Sequence, residues 1–215
     1  MYVVIIGCGR VGSALAKELS NEGHDVSVID SENERLKALG SGFNGQRLRG
    51  VEYDQGILIE AGIKEADVFV AVTPDDNTNI TASQIARDIF KVPRVIGRTS
   101  EPDKGYIYEL LGIETINPTK QAAYYLKNKI LNKDLEIIAS LDEYIDIVRI
   151  VVSNNRYTTV KEIEEKYQCS ISAIRRSMEF IVPTRDLEIR KFDQIVCAIR
   201  KTDRRRLTAA FCQEV

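Results

Sequence analysis

Three glycines spaced G-x-G-x-x-G, namely Gly7, Gly9 and Gly12, follow an apolar run at residues 2–6. Val11, Leu15 and Leu19 then share one face of a helical pattern, so the glycines sit between a buried strand and a helix. In that position Gly7 permits a tight turn, Gly9 lets a phosphate approach the backbone, and Gly12 lets helix and strand pack closely. The free N–H groups and the positive end of the helix face an anion. Arg10 places a cation in the first helical turn, against the helix dipole. A bound phosphate would relieve that conflict, and so would bending of the side chain into solvent. Cys8 lies within the loop with no base paired to it and reads as a small buried filler. The next apolar run ends at Asp30, where a carboxylate accepts hydrogen bonds from both hydroxyls of a ribose and repels a 2′-phosphate. These residues point to an adenine nucleotide other than NADP, held at Gly7, Gly9, Arg10 and Asp30. A glycine turn kept for packing alone is the competing explanation.

The elements that must position these groups alternate through the first 130 residues. Residues 2–6, 25–29, 68–72 and 94–97 read as short buried strands, and 46–50 and 114–116 as weaker ones. Amphipathic stretches lie between them, carrying Leu36 and Leu39, Leu58 and Ala61, and then Ile80 to Ala86. The alternation implies βαβ units, hence an α/β fold with a Rossmann-like, doubly wound parallel sheet. In such a sheet ligands sit beyond the C-terminal ends of the strands. Thr73, Pro74 and Asp75 follow one strand and Arg98 ends another, which adds Thr73, Pro74 and Arg98 to the candidate site. Asp75 or Asp76 is placed to cap the next helix. Pro118 opens a further apolar helix to about residue 132, suited either to a second subunit or to covering its own sheet.

Past residue 134 the pattern changes. A strand at 145–151, a turn at Asn154–Asn155, a helix at 160–167, strands at 170–174, 180–182 and 194–199, and a helix from Asp203 make a second, smaller α+β domain. The expected organisation is 1–134 and 135–215.

Bulk properties narrow the function. Thirty basic against 32 acidic residues give a net charge of −2, and 44% of residues are hydrophobic. That balance disfavours a generic nucleic-acid binder. No apolar run is long enough to span a bilayer, and no secretory signal opens the chain. The four cysteines lack C-x-x-C spacing, so neither a zinc site nor a redox pair is signalled, and isolated thiols suit a reducing cytoplasm. His24, the single histidine, sits in the turn before the second strand, at the far end from the crevice. An NAD-dependent dehydrogenase would need a proton donor beside the cofactor, so no catalytic residue is expected. Residues 159–177 also scan like a helix-turn-helix with Arg175 and Arg176 on its second helix, the pattern of a redox-sensing repressor. Against this, 170–174 alternate like a strand, and 135–215 carry 14 basic and 13 acidic residues, little charge for a DNA reader. Arg204–Arg206 reads as a solvated helix face.

The segments GCGRVGSALAKEL, GHDVSVID, AGIKEADVFVAVTPDDNTNI and LGIETINPT together resemble the N-terminal domain of Trk/Ktr-type potassium-uptake regulators, the RCK or KTN domain (TrkA family). The resemblance covers residues 1 to about 132, and the remainder is more loosely similar to the family's C-terminal domain. It implies a cytoplasmic regulatory subunit that binds NAD(H), ATP or ADP and assembles as homodimers into a ring beneath a membrane potassium transporter, peripheral to the membrane. By motif position, residues 7–11 would hold the diphosphate, Asp30 the ribose, and Thr73, Pro74 and Arg98 the rest. The chain departs from the family pattern in three places. Gly50–Val51 stands where many relatives have Gly-Asp or Gly-Asn near the adenine, leaving Glu52 or Tyr53 to substitute. Thr119 follows Pro118 where a metal-assisting glutamate is common, so no metal is expected there. Phe192–Asp193 replaces Gly-Asp in the second domain.

Overall fold

A computed structural model describes residues 1–101, 104–131, 135–153 and 158–211. Contacts divide the chain into two compact units, Met1–Gln121 and Ala122–Val215.

The first unit runs β1 (Tyr2–Ile6), α1 (Arg10–Asn21), β2 (Asp25–Asp30), α2 (Asn33–Lys37), β3 (Gln46–Arg49), α3 (Gln55–Glu60), β4 (Val68–Ala71), α4 (Asp76–Gln84), β5 (Arg94–Arg98), α5 (Gly105–Leu110), β6 (Glu114–Ile116) and the start of α6 (Pro118–Leu131). Its six strands are parallel in the order β3-β2-β1-β4-β5-β6, so the winding reverses between β1 and β4. Alternate residues of β1 feed opposite faces, as the twofold strand period requires. Val3 and Ile5 join Ala16, Val28 and Leu36 on one side, whereas Val4 and Ile6 join Leu58, Phe69 and Ala82 on the other. Both faces are buried, which is why these strands read as unbroken apolar runs. The expected α/β fold is present. Helix α5 has no counterpart in the sequence reading, because six residues show less than two turns of periodicity.

The second unit continues with β7 (Leu135–Ser140), β8 (Ile145–Val151), β9 (Thr158–Thr159), α7 (Val160–Tyr167), β10 (Cys169–Arg176), β11 (Glu179–Ile181), β12 (Glu188–Ile189), β13 (Gln194–Arg200) and α8 (Arg204–Phe211). Five strands form an antiparallel sheet, β11-β10-β13-β8-β7, and β9 pairs with β12. One core joins Ile137, Val148, Ile150, Ile174 and Ile195 to Val160, Ile163, Leu207 and Phe211 of the helices. Thr159 and Glu162 close a capping box at the start of α7, which fixes the helix where its amphipathic pattern begins. The chain past Gln168 is strand β10, so a helix-turn-helix is overturned here. The alternation of Ile171 and Ile174 toward the core prevailed over the helical scan. Strands β7, β9 and β12 were missed, and the expected turn at Asn154–Asn155 lies outside the described residues.

Arg204 does more than face solvent. It reaches Asp146 at 3.0 Å, a fully buried carboxylate that also accepts from Ser140 Oγ at 2.6 Å. Asp193 is similarly buried and is held by a two-pronged bond from Arg176 (2.9 and 2.8 Å) and by the Arg190 N–H. The residue before it, Phe192, is forced into the left-handed region (φ 71°) by this turn while its ring is 70% exposed. A side chain in that region costs about 1–2 kcal/mol. Replacement of Phe192 by Gly is therefore expected to stabilise the chain by about 1 kcal/mol. Urea unfolding checks this, with an unchanged or lower midpoint counting against it.

Candidate functional site

The glycine loop is shaped by two close approaches and one open side. Gly7 adopts φ +90°, and a Cβ on it would stand 2.7 Å from the Thr73 amide nitrogen. A Cβ on Gly12 would lie 1.9 Å from the Gly7 carbonyl oxygen, so the entry of α1 tolerates no side chain there. A Cβ on Gly9 meets nothing within 4 Å. The need for glycine at position 9 thus does not come from the chain's own packing. Gly9 is the N-cap of α1 and supplies no side-chain cap. The first-turn amides of α1 keep their donor capacity, and the dipole leaves them at positive potential. Arg10 is exposed at the first helical position and Val11 is half-buried beside it.

Asp30 ends β2 and locks this loop. Its Oδ2 accepts from the Cys8 N–H at 2.6 Å and its Oδ1 from the Glu32 N–H at 2.8 Å, with Arg35 Nη1 at 3.9 Å. The side chain has no exposed surface. Each carboxylate oxygen accepts more than one bond, so capacity for further donors remains. Next to it, Ser31 donates both N–H and Oγ–H to Glu52 Oε1 (3.2 and 2.9 Å). Glu52 is thereby tied to the loop beside Asp30, while Tyr53 is exposed.

On the other side of the winding reversal stand β4 and β5. Thr73 is buried, and its N–H and Oγ1 both bond to Asn79 Oδ1 (2.9 and 2.8 Å). Asn79 Nδ2 returns bonds to the carbonyls of Thr73 and Arg98, both at 3.1 Å. Asn79 was not singled out from sequence. An asparagine inside a helical pattern carries no signal until both loops it joins are known. Asp75 caps α4 through the Thr78 N–H (2.7 Å), and the Thr78 side chain, then this N–H, hold its carboxyl below the usual carboxylate range. Asp76 instead accepts from the amides of Ser100 and Glu101, fastening the chain beyond β5. Tyr108 OH donates to the Arg98 carbonyl at 2.9 Å, and burial pushes that phenol far up. Pro74 is exposed at the rim. The Arg98 Nε is buried with no hydrogen-bond partner among the described residues. An unsatisfied buried donor of this kind costs about 1–3 kcal/mol, and an anionic oxygen would satisfy it. The expected site residues therefore gather at the C-terminal ends of β1, β2, β4 and β5. An uncapped helix start, a glycine with free space and an orphan guanidinium donor fit a nucleotide diphosphate.

The groups that catalysis would need are arranged otherwise. Cys8 is 2% exposed and its thiol is pushed up to about 11, by burial first and then by the charge of Asp30. It is neutral near pH 7 and gives its hydrogen to the Arg35 carbonyl at 3.2 Å. His24 lies 4.0 Å from Glu22, just before β2 and at the opposite end of that strand from Asp30. Among the described residues no group of three or more His, Cys, Asp and Glu is arranged to hold a metal ion. No helix among them is long and apolar enough to cross a membrane.

The fold and this crevice define a Rossmann-type domain followed by a small α+β domain. Residues 3–118 match the TrkA-N domain model. The chain is 33% identical over 215 residues to the Trk system potassium uptake protein TrkA of Streptomyces coelicolor, covering 99% of this chain and 96% of that protein. The chain belongs to the TrkA family of potassium-uptake regulatory proteins, which are not enzymes. Among solved structures it is similar in fold to a GsuK channel bound to NAD, with a TM-score of 0.68 and 17% identity over all of this chain and 40% of the channel. A Kef C-terminal domain from Shewanella denitrificans in an AMP-bound form matches 62% of this chain and 81% of its own, with a TM-score of 0.54 and 21% identity.

Two glycine variants separate packing from binding. Gly12→Ala is expected to destabilise the chain by about 1–3 kcal/mol, because the methyl collides with a backbone carbonyl. Gly9→Ala is expected to leave stability within about 0.5 kcal/mol while lowering nucleotide affinity at least about tenfold. Urea unfolding and titration calorimetry on both variants check the pair, and equal destabilisation by the two would contradict the assignment.

Proposed function

We propose that this chain is the cytoplasmic, nucleotide-sensing subunit of a membrane potassium-uptake system. The observation that carries the reading is the uncapped start of α1, with free space at Gly9, set beside the Asp30 carboxylate. Phosphates bind the first-turn amides, with Arg10 on the distal phosphate and Arg98 across the crevice. Asp30 and Glu52 meet the ribose and adenine side. Because Asp30 has no exposed surface, ribose binding requires the chain at residues 31–35 to draw back and surrender part of its bonding. That movement is the first step by which a ligand changes the protein. NAD(H), ATP and ADP share the adenosine and differ beyond it, so they favour different arrangements of the site. NAD in the GsuK channel and AMP in the Kef domain support this ligand class.

The output is mechanical. Helix α6 buries none of its fourteen residues within the described chain, and Leu126, Ile130 and Leu131 on it are 59–79% exposed. This favours a second copy of the chain on α6 over coverage of its own sheet, in keeping with a homodimer that assembles further into a ring. A coupling of about 1–3 kcal/mol per site, repeated around such a ring, shifts a transporter gate substantially.

A thermal-shift panel of NAD, NADH, NADP, ATP and ADP tests the ligand class, with NADP expected to be weakest. Asp30→Asn should weaken every adenine nucleotide, whereas Arg10→Ala should mainly erase discrimination among them. Equal losses in both variants would contradict this division of roles. No shift with any of the five would overturn the sensor reading itself.

A further inference from the structure

Two of the chain's thiols meet inside the smaller unit, and nothing in the nucleotide reading uses them. Cys169 opens β10, and Cys197 lies in the middle of β13, the neighbouring antiparallel strand. In the register Cys169 faces Ile199 and Cys197 faces Ile171, so the cysteines are diagonal neighbours. Cys197 belongs to the core cluster and Cys169 packs against it, which puts both on the helix-covered face of the sheet. The two sites differ in access. Cys197 is 1% exposed, whereas Cys169 is half-buried, with Sγ 3.9 Å from the Ile163 carbonyl of α7.

We propose that Cys169 and Cys197 form a reversible dithiol–disulfide site, oxidised by hydrogen peroxide and reset by small-molecule thiols. Access fixes the order of events. The Cys169 thiolate attacks one peroxide oxygen, the O–O bond breaks, and a sulfenic acid and one water form. The Cys197 sulfur then attacks the Cys169 sulfur. The S–S bond forms, the S–O bond breaks, and the hydroxyl leaves as a second water with the Cys197 proton. Two thiols together lose two electrons and two protons, and the peroxide is reduced to two waters.

Geometry makes the bond labile rather than structural. Diagonal neighbours across antiparallel strands have Cα atoms about 7–8 Å apart, while a disulfide spans about 4.4–6.8 Å. The start of β10 must therefore move by about 1 Å to close the bridge. It has room to do so, because Cys169 is the first residue of the strand and follows Gln168, which turns the chain in the left-handed region at φ 51°. A bridge closed against such a displacement is readily reduced. The interaction with Cys197 lowers the Cys169 thiol from its usual range, and the interaction with Cys169, followed by burial, raises Cys197, consistent with an attacking and a resolving partner. Cys8 belongs to the other unit and keeps a neutral, buried thiol.

The test uses the full chain in native buffer, treated with dilute hydrogen peroxide, alkylated, and mapped by non-reducing peptide mass spectrometry. A peptide pair joined through Cys169 and Cys197, lost on treatment with dithiothreitol, is the expected product. Cys197→Ser should leave Cys169 as a sulfenic acid trapped by dimedone, and Cys169→Ser should leave Cys197 unmodified. The wild-type map stands by itself if either variant fails to fold. Absence of the link, a link that forms only after unfolding in urea, over-oxidation of either thiol without a link, or a link from Cys169 to Cys8 or Cys212 would each overturn the proposal. None of these outcomes depends on nucleotide binding.

Discussion

The Cys8 N–H donates to Asp30 Oδ2 at 2.6 Å inside a fully buried side-chain environment, and the same carboxylate takes the Glu32 N–H through its other oxygen. Hydrogen bonds to charged groups contribute about 1.5–3 kcal/mol net, and low local dielectric makes their loss expensive. This one carboxylate therefore sets the path of two loops, the glycine turn after β1 and the chain entering α2. Gly7 at positive φ and the contact between Gly12 and the Gly7 carbonyl depend on that path. The donor array at the start of α1 exists because Asp30 holds the turn in place. The group that builds the glycine loop is also the group proposed to grip a ribose. Under the proposed function a ribose reaches this carboxylate only by displacing chain already bonded to it, and that displacement is the proposed source of the response.

The opposite wall is built on different chemistry. Asn79, a neutral amide, joins the end of β4 to the end of β5 through Thr73 and the Arg98 carbonyl. Asp76 and Tyr108 fasten the same region from the α4 and α5 sides. Tyr108 fits only because residue 97 is glycine, since a Cβ there would stand 2.3 Å from its ring. This wall is cross-braced by three side chains and is expected to stay fixed. The Asp30 side rests on a few bonds to one carboxylate and is expected to move. In the smaller unit, buried Asp146 and Asp193 play the bracing part with arginine partners.

The first unit was legible in the sequence because its signals are local. Strand-glycine-helix and strand-carboxylate patterns lie within single βα links, and the doubly buried strands read as apolar runs. The gathering of Gly7, Asp30, Thr73 and Arg98 followed from the winding order alone. What escaped was long-range or short. Asn79, Asp76 and Tyr108 act across 6 to 25 residues of sequence on backbone groups, which no pattern of side chains advertises. Helix α5 and strands β9 and β12 are too short to show a period. The buried state of Asp30 was also hidden, because sequence places a carboxylate at a strand end without saying which donors reach it first. In the second unit, β10 read ambiguously as helix or strand until its antiparallel partners resolved the matter.

Hydrogen–deuterium exchange on the wild-type chain, with and without NADH or ATP, addresses the central claim most directly. If Asp30 couples the phosphate cradle to the neighbouring chain, a nucleotide should protect amides at residues 8–13 and at the same time alter exchange at 31–35, while residues 73–79 stay unchanged. Protection confined to the smaller unit, or a change at 8–13 with none at 31–35, would contradict the account.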